Sequence, residues 1–266
     1  MDFFFQPKGV AVIGASANQD TGGNTIIANL QKGYHGAIYP VNPRYDEING
    51  LKCYASILDV PNPVDMAIVY LDAKRVPQTM RDCARRGISG AMLQSAGFSE
   101  SGPQGAELQN EIARIAKETG IRLWGPNCMG LVDAVNRNVF STVSHAIWSA
   151  GLTPGNVSLI VQSGMLAGAF LIDIMTHGAM GISKVCSIGN KMDVDESDIL
   201  EYLMDDPETG VIGLYLESIV DGPRFIDLCR RSTKPIVMLK GGKSAKGAEA
   251  ALSHTASLAG DGAVVS

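Results

Sequence analysis

GVAVIGASANQDTGGNT, residues 9–25, reads as a strand, a turn of small residues and the approach to a helix. Val10 to Ile13 is a short, unbroken apolar run, as a strand buried on both faces should be. Gly14, Ala15 and Ser16 then leave room for a phosphate against helix N-terminal amides. The turn departs from G-x-G-x-x-G, because Ser16 stands where the second glycine belongs. Outward from this unit the pattern repeats. Ala37 to Val41, Met66 to Leu71, Gly90 to Leu93 and Ile121 to Trp124 are further brief apolar runs. Between them Thr25 to Leu30, Val76 to Arg86 and Gln104 to Thr119 carry apolar residues at helical spacing, the last with Gly120 as C-cap. Strand and helix taking turns predict a parallel, doubly wound α/β sheet.

After Trp124 the periodicity lapses, through GPNCMG, Asn138 and Trp148 to TPGN, and the domain boundary is placed near residue 145. The second half alternates again. Its strands are expected at Val157 to Val161, Lys184 to Ile188, Val211 to Leu216 and Pro235 to Leu239. Helices are expected near Met165 to Thr176, Glu196 to Met204 and Arg224 to Arg231, giving a second, flavodoxin-like α/β unit. The final AALSHTASLAGDGAVVS stops in mid-pattern, which leads to the expectation of a truncated chain or one piece of a longer protein.

With 266 residues, 45% apolar and 18% charged, the chain can pack two cores. A net charge of −5 offers no basic excess to gather nucleic-acid phosphates, and no apolar stretch is long enough to span a bilayer. MDFFFQPKG lacks the basic start and long apolar run of a signal peptide, so a cytoplasmic protein is expected. The five cysteines are scattered and never form C-x-x-C, which argues for reduced thiols and against a disulfide framework or a metal site.

The end of the second strand narrows the ligand. A nicotinamide-dinucleotide site places an acidic residue about 20 residues after the glycines to hold the ribose 2′-hydroxyl. YPVNPRYDE, residues 39–47, has Asn42, Pro43 and Arg44 there instead. A cation suits a phosphorylated ribose, which coenzyme A carries at the 3′ position and NADP at the 2′.

In the second half Gln162, Ser163 and Gly164 follow a buried strand and open a helix, offering amides to an anion. Glu217 ends another strand, and ligands of open sheets gather outside such strand ends. His254 lies in a loop of very small residues, Ser253, Thr255, Ala256, Ser257, Ala259 and Gly260, where backbone can approach a ligand and a loop can move. Glu217 could fix the tautomer of such a histidine and leave its other nitrogen nucleophilic. Other motifs fail. LKGGKS would need glycine at Val237 to be a P-loop, and DVDESD, residues 193–198, lacks the glycine and glutamate of a calcium loop and reads as a helix start. Cys128 in GPNCMG has no histidine near it in sequence and is set aside as a nucleophile.

Taken together, AVIGAS, YPVNPRYDEINGLKCYAS, QSAGFSE, GPNCMG, VQSG, SIGNKMDVDESDILEYLMDDPET and SHTASLAG resemble the nucleotide-forming acyl-CoA synthetases, the family of ADP-forming acetyl-CoA synthetase and succinyl-CoA synthetase. The resemblance implies a Rossmann-like coenzyme A-binding domain over residues 1–145. It also implies a succinyl-CoA synthetase-like, flavodoxin-like ligase domain over 146–266. The family's phosphorylated histidine falls on His254, its supporting glutamate on Glu217, and its anion-holding helix start on Ser163 and Gly164. A second phosphate-cradling turn falls on Ser187, Ile188, Gly189 and Asn190. Coenzyme A contacts fall on Gly14, Ala15, Ser16, Arg44, Asn127 and the loop Ser95, Ala96 and Gly97.

The implied substrates are an acyl-CoA or its carboxylic acid, coenzyme A and phosphate. ATP/ADP or GTP/GDP, with Mg, would bind an ATP-grasp partner subunit or missing C-terminal domains, in an oligomer. This chain alone would then perform a half-reaction. A non-catalytic coenzyme A- or nucleotide-binding regulatory module and an NADP-dependent oxidoreductase are the competing readings. Leucine at Gly14 is expected to weaken coenzyme A binding at least about tenfold while leaving the fold intact.

Overall fold

The computed structural model describes residues 1–242, Ala146 and Ala179 excepted. The chain opens with a short helix, α1 (Asp2–Phe5), and then β1 (Gly9–Ile13), every residue of which is buried. Helix α2 (Gly22–Gly33) follows, capped by the Thr21 side chain accepting from the Asn24 amide. Next come β2 (Ala37–Val41), a small hairpin of β3 (Glu47–Ile48) and β4 (Leu51–Lys52), and β5 (Met66–Val69). The first unit continues through α3 (Val76–Arg86), β6 (Gly90–Leu93), α4 (Pro103–Thr119) and β7 (Arg122–Trp124). As the glycine predicted, α4 ends on Gly120 in the left-handed conformation.

These strands form a sheet in the order β2-β1-β5-β6-β7, with every pairing parallel. The chain runs from β1 outward to β2 and then crosses back to β5 on the other side of β1. That reversal opens a crevice at the carboxyl ends of β1 and β5, the place where doubly wound sheets bind ligands.

The stretch where the sequence pattern lapsed is not irregular. It holds two antiparallel strands, β8 (Gly130–Asp133) and β9 (Asn138–Ser141), followed by a short helix α5 (Ile147–Ala150). Each strand has four residues and is buried on both faces, too short to show a period of its own. Although the hairpin precedes residue 145, it pairs with the second sheet. That sheet is built from β10 (Pro154–Val161), α6 (Gly164–His177), β11 (Ile182–Ser187), α7 (Glu196–Asp205), β12 (Val211–Leu216), α8 (Gly222–Arg231) and β13 (Ile236–Lys240). The strand order is β13-β12-β10-β11-β8-β9, and β10 to β13 are mutually parallel where they pair. A second reversal of direction lies between β10 and β12.

The two units share a core. Phe4 and Phe5 of α1 are fully buried and meet the Trp124 ring edge-on, and Phe5 stacks on Tyr202 of α7 with ring centroids 3.7 Å apart. The Trp124 indole donates to the Ser187 carbonyl across the same junction at 2.7 Å. Asn29 of α2 donates to the Ser141 and Val143 carbonyls, so the β8–β9 hairpin is gripped from the first unit as well. Lys184 is buried on β11 and joins Asp206, Glu208 and, at 3.7 Å, Asp133. Burial opposes its charge, but hydrogen bonds to Glu208 and Asp206 outweigh that and hold its ammonium above the usual lysine range.

Candidate functional site

A cleft of about 1130 Å³ opens at the carboxyl ends of the first sheet. Gly14, Asn42, Arg44, Ser95 and Ala96 line it, which brings five of the sequence-assigned or strand-end residues to one place. Gly14 sits at φ +91, and a Cβ added there would lie 2.0 Å from the Tyr70 carbonyl oxygen. The expectation that leucine at this position would spare the fold is therefore corrected: backbone, not ligand, fills that space. The turn is braced by Asn42, whose Nδ2 donates to the Ala15 carbonyl at 2.7 Å. Ala15 is fully buried, and the Ser16 hydroxyl accepts from the Asn18 amide at 3.1 Å. The helix starts at Gly22, earlier than the expected Thr25, and the loop 17–21 separates it from Gly14 to Ser16.

Two exposed cations line the cleft that the sequence reading did not single out, Lys74 and Arg75. They follow β5 in DAKR, residues 72–75, so the strand-end argument applied to Arg44 would have found them. Gln94 was missed too. It is 7% exposed, its Nε2 donates to the Phe140 carbonyl, and its Oε1 has no hydrogen-bond partner among the described residues. A buried acceptor lining the cleft suits an N–H donor on a ligand.

A second pocket, of about 380 Å³, lies at the start of α6 and is lined by Asn127, Gln162, Ser163, Gly164 and Gly189 among others. Ser163 is the N-cap of this helix, its hydroxyl accepting from the Leu166 amide at 3.3 Å. The free amides and dipole of a helix start favour an anion here. Of the expected turn 187–190, Gly189 reaches the pocket. It sits at φ +59, and an added Cβ would lie 2.2 Å from the Pro126 carbonyl oxygen, so the two loops meet closely. The Ser187 hydroxyl instead accepts from the Met129 amide, and Ile188 is fully buried. The Asn190 side chain turns toward the first unit, donating to Glu100, Ser99 and Gln109.

Glu217 is 3% exposed at the end of β12. Its amide donates to Gln162 Oε1 at 2.8 Å, beside the pocket, and its carbonyl accepts from Lys240 Nζ at 2.7 Å. Tyr215 donates its hydroxyl to Glu217 Oε1 at 3.4 Å. His254 and its loop lie outside the described residues. Cys128 lines the pocket, yet burial pushes its thiol up to about 12, in keeping with an inert structural cysteine. Asp195 caps α7 by accepting from the Ser197 and Asp198 amides, while Asp193 and Asp198 pair with Arg122 and Glu196 with Lys191, which together account for the acidic run 193–198.

The pockets adjoin. Asn127 lines the second, and its amide donates to the carbonyl of Ser95, which lines the first, at 2.9 Å. Glu100 anchors the intervening loop, with Oε1 accepting from the Gly97 and Phe98 amides. Burial works to raise its carboxyl, but hydrogen bonds from Asn190 and these amides outweigh it and hold it below the usual carboxylate range.

A family model described as "CoA binding domain" matches residues 8–134, and one described as "Succinyl-CoA ligase like flavodoxin domain" matches residues 154–266. The chain is 45% identical over 260 residues to acetate–CoA ligase (ADP-forming) II of Archaeoglobus fulgidus, covering 97% of this chain and 38% of that protein. It is 42% identical over 264 residues to the alpha subunit of acetate–CoA ligase (ADP-forming) II of Pyrococcus furiosus, covering 98% and 56%. The solved structure of the dinucleotide-forming acetyl-coenzyme A synthetase 1 of Ca. Korarchaeum cryptofilum, in complex with phosphate and ADP, superposes with a TM-score of 0.92. That pair is 38% identical, and the match covers 99% of this chain and 56% of the other. The chain thus spans less than two thirds of these relatives' length. By both of its matched domains the chain belongs to the ADP-forming acyl-CoA synthetase family, as the coenzyme A-binding and succinyl-CoA ligase-like part of that architecture.

Proposed function

We propose that the chain carries out the coenzyme A and phosphohistidine half of a nucleotide-forming acyl-CoA synthetase reaction. Coenzyme A occupies the first cleft, with its phosphates near Gly14 to Ser16 and its ribose phosphate near Arg44. Its pantetheine end runs past Ser95 to Gly97 toward Asn127. Phosphate is held at the start of α6 by Ser163 and Gly164, with the turn 187–190 beside it. A phosphate oxygen attacks the acyl carbonyl of an acyl-CoA, and the coenzyme A thiolate leaves, giving an acyl phosphate. A nitrogen of His254, oriented by Glu217, attacks phosphorus and releases the carboxylate. The phosphohistidine then passes its phosphoryl group to ADP or GDP, held with Mg by an ATP-grasp partner subunit or further domains, within an oligomer. Positioning and fixed positive dipoles are what such transfers require. The free cysteines among the described residues suit a reducing, cytoplasmic setting.

One observation supports this reading most: the Asn127–Ser95 hydrogen bond joins the wall of the first cleft to that of the pocket at the start of α6, so a coenzyme A in the one would reach a phosphate in the other. The test is to incubate the chain with acetyl-CoA and phosphate and follow released thiol together with intact mass. One phosphoryl group on His254, matched by one thiol released, is expected. Coenzyme A binding with neither product would instead favour the regulatory module.

A further inference from the structure

We propose that Glu100 is a positioning residue that couples the two pockets, acting through Asn190. The inference rests on the coenzyme A and phosphate reading above, and it concerns a residue that lines neither pocket. A closed ring of hydrogen bonds runs between them. Glu100 Oε1 accepts from the Gly97 amide at 2.6 Å, and Glu100 Oε2 accepts from Asn190 Nδ2 at 2.6 Å. Asn190 Oδ1 accepts from Asn127 Nδ2 at 3.5 Å, and the Asn127 amide donates to the Ser95 carbonyl at 2.9 Å. Ser95 leads back through Ala96 to Gly97.

The two carboxylate oxygens have separate tasks. Oε1 shapes the loop 95–98 in the first cleft. Oε2 holds the residue after Gly189, which lines the second pocket. The Asn190 amide itself donates to the Pro126 carbonyl at 2.9 Å, so Asn190 cannot shift without moving the backbone beside Asn127. An anion that draws in the Gly189 turn therefore pulls on Glu100 and through it on the coenzyme A loop. Occupancy of either pocket favours the loop arrangement that the other needs, and such coupling must be reciprocal.

The donor and acceptor pattern supplies a selective probe. Glu100→Gln keeps one oxygen for the Gly97 and Phe98 amides but turns an N–H toward Asn190, setting donor against donor. Asn190→Asp alone sets carboxylate against carboxylate. With both changes, the glutamine amide donates to the aspartate and the link is rebuilt in reverse.

The experiment measures the affinity for coenzyme A by calorimetry with and without saturating inorganic phosphate, in the unaltered chain and the three variants. The unaltered chain is expected to bind coenzyme A about fivefold or more tightly with phosphate present, within the usual range of coupling between sites. Each single variant should lose most of that factor, and the double variant should regain it, a rescue that a merely structural role would not produce. Exchange of the Gly97 and Phe98 amides should slow when phosphate is added to the unaltered chain, a measurement that needs no variant. Equal coupling in Glu100→Gln, or no coupling in a chain that binds both ligands, would overturn the proposal while leaving the functional reading intact. Failure to bind either ligand would overturn the functional reading itself.

Discussion

Lys191 Nζ and Glu196 Oε2 lie 2.8 Å apart, with side chains 2% and 0% exposed, directly beneath the loop that follows Glu217. Lys191 also donates to the Ser218 carbonyl, and Glu196 Oε1 accepts from the Val220 amide at 2.6 Å. The pair ties the turn after β11, which carries Gly189 into the second pocket, to the loop after β12.

Removing one partner strands a buried charge. Lys191→Met should cost on the order of 3–5 kcal/mol, whereas adding Glu196→Gln, which removes the stranded charge and keeps an acceptor for the Val220 amide, should recover part of that loss. Urea unfolding checks this. A single variant no less stable than the double would show that the pair's charges are compensated elsewhere.

Gly164 offers a cleaner probe of the proposed phosphate site than Gly14 does of the cleft. A Cβ at Gly164 would meet the Met129 amide nitrogen at 3.5 Å and the Met129 Cβ at 3.6 Å, both ordinary contacts. Gly164→Ala should therefore melt no lower than the parent chain, since alanine favours a helix over glycine by up to about 1 kcal/mol. Its methyl group enters the pocket, and phosphate affinity should fall by about tenfold. Unchanged phosphate binding in the folded variant would move the anion elsewhere.

Arg44 is exposed on the cleft wall, so its loss should barely affect stability. Arg44→Ala should weaken coenzyme A by roughly tenfold, the scale of one exposed charge-assisted hydrogen bond. It should leave dephospho-coenzyme A, which lacks the 3′-phosphate, nearly unaffected. Equal weakening of both ligands would mean that Arg44 faces another part of the molecule.

How far the sequence could be read depended on the length of each signal. The central strands of the first sheet were legible because both-face burial makes them continuous apolar runs, as in MAIV of β5 and GAML of β6. Helix α3 was legible from end to end, since Pro77 near its start and the left-handed Gly87 after it bracket the pattern. The β8–β9 hairpin was not, because four-residue strands that owe their burial to α2 and β11 carry no period of their own. Within the candidate site, Gly14, Arg44, Ser163 and Glu217 were singled out by their places at strand ends, and the structure puts Gly14 and Arg44 on the first cleft and Ser163 on the second pocket. Lys191, Glu196 and the Glu100–Asn190 link join residues from separate elements. Such contacts follow from packing and leave no local mark in the chain.

Glu217 supports the sharpest prediction, because its backbone and side chain do different work. The amide and carbonyl of residue 217 hold Gln162 and Lys240, and a change of side chain leaves both bonds in place. Glu217→Gln is nearly isosteric, so the strand end and the neighbouring pocket should keep their shape, and coenzyme A affinity should be unchanged. What the substitution removes is a carboxylate beside the proposed path of His254. Without that charge an imidazole loses the partner that would hold its tautomer and stabilise it as phosphoryl transfer proceeds. Phosphorylation of the chain by acetyl-CoA and phosphate should therefore slow by about a hundredfold or more, with the loss in rate rather than in substrate affinity. Rapid-quench time courses with mass detection of the phosphorylated chain measure this, run with and without an ATP-grasp partner. Phosphorylation at the parental rate in Glu217→Gln would remove Glu217 from the mechanism, and phosphorylation that survives His254→Ala would remove the histidine.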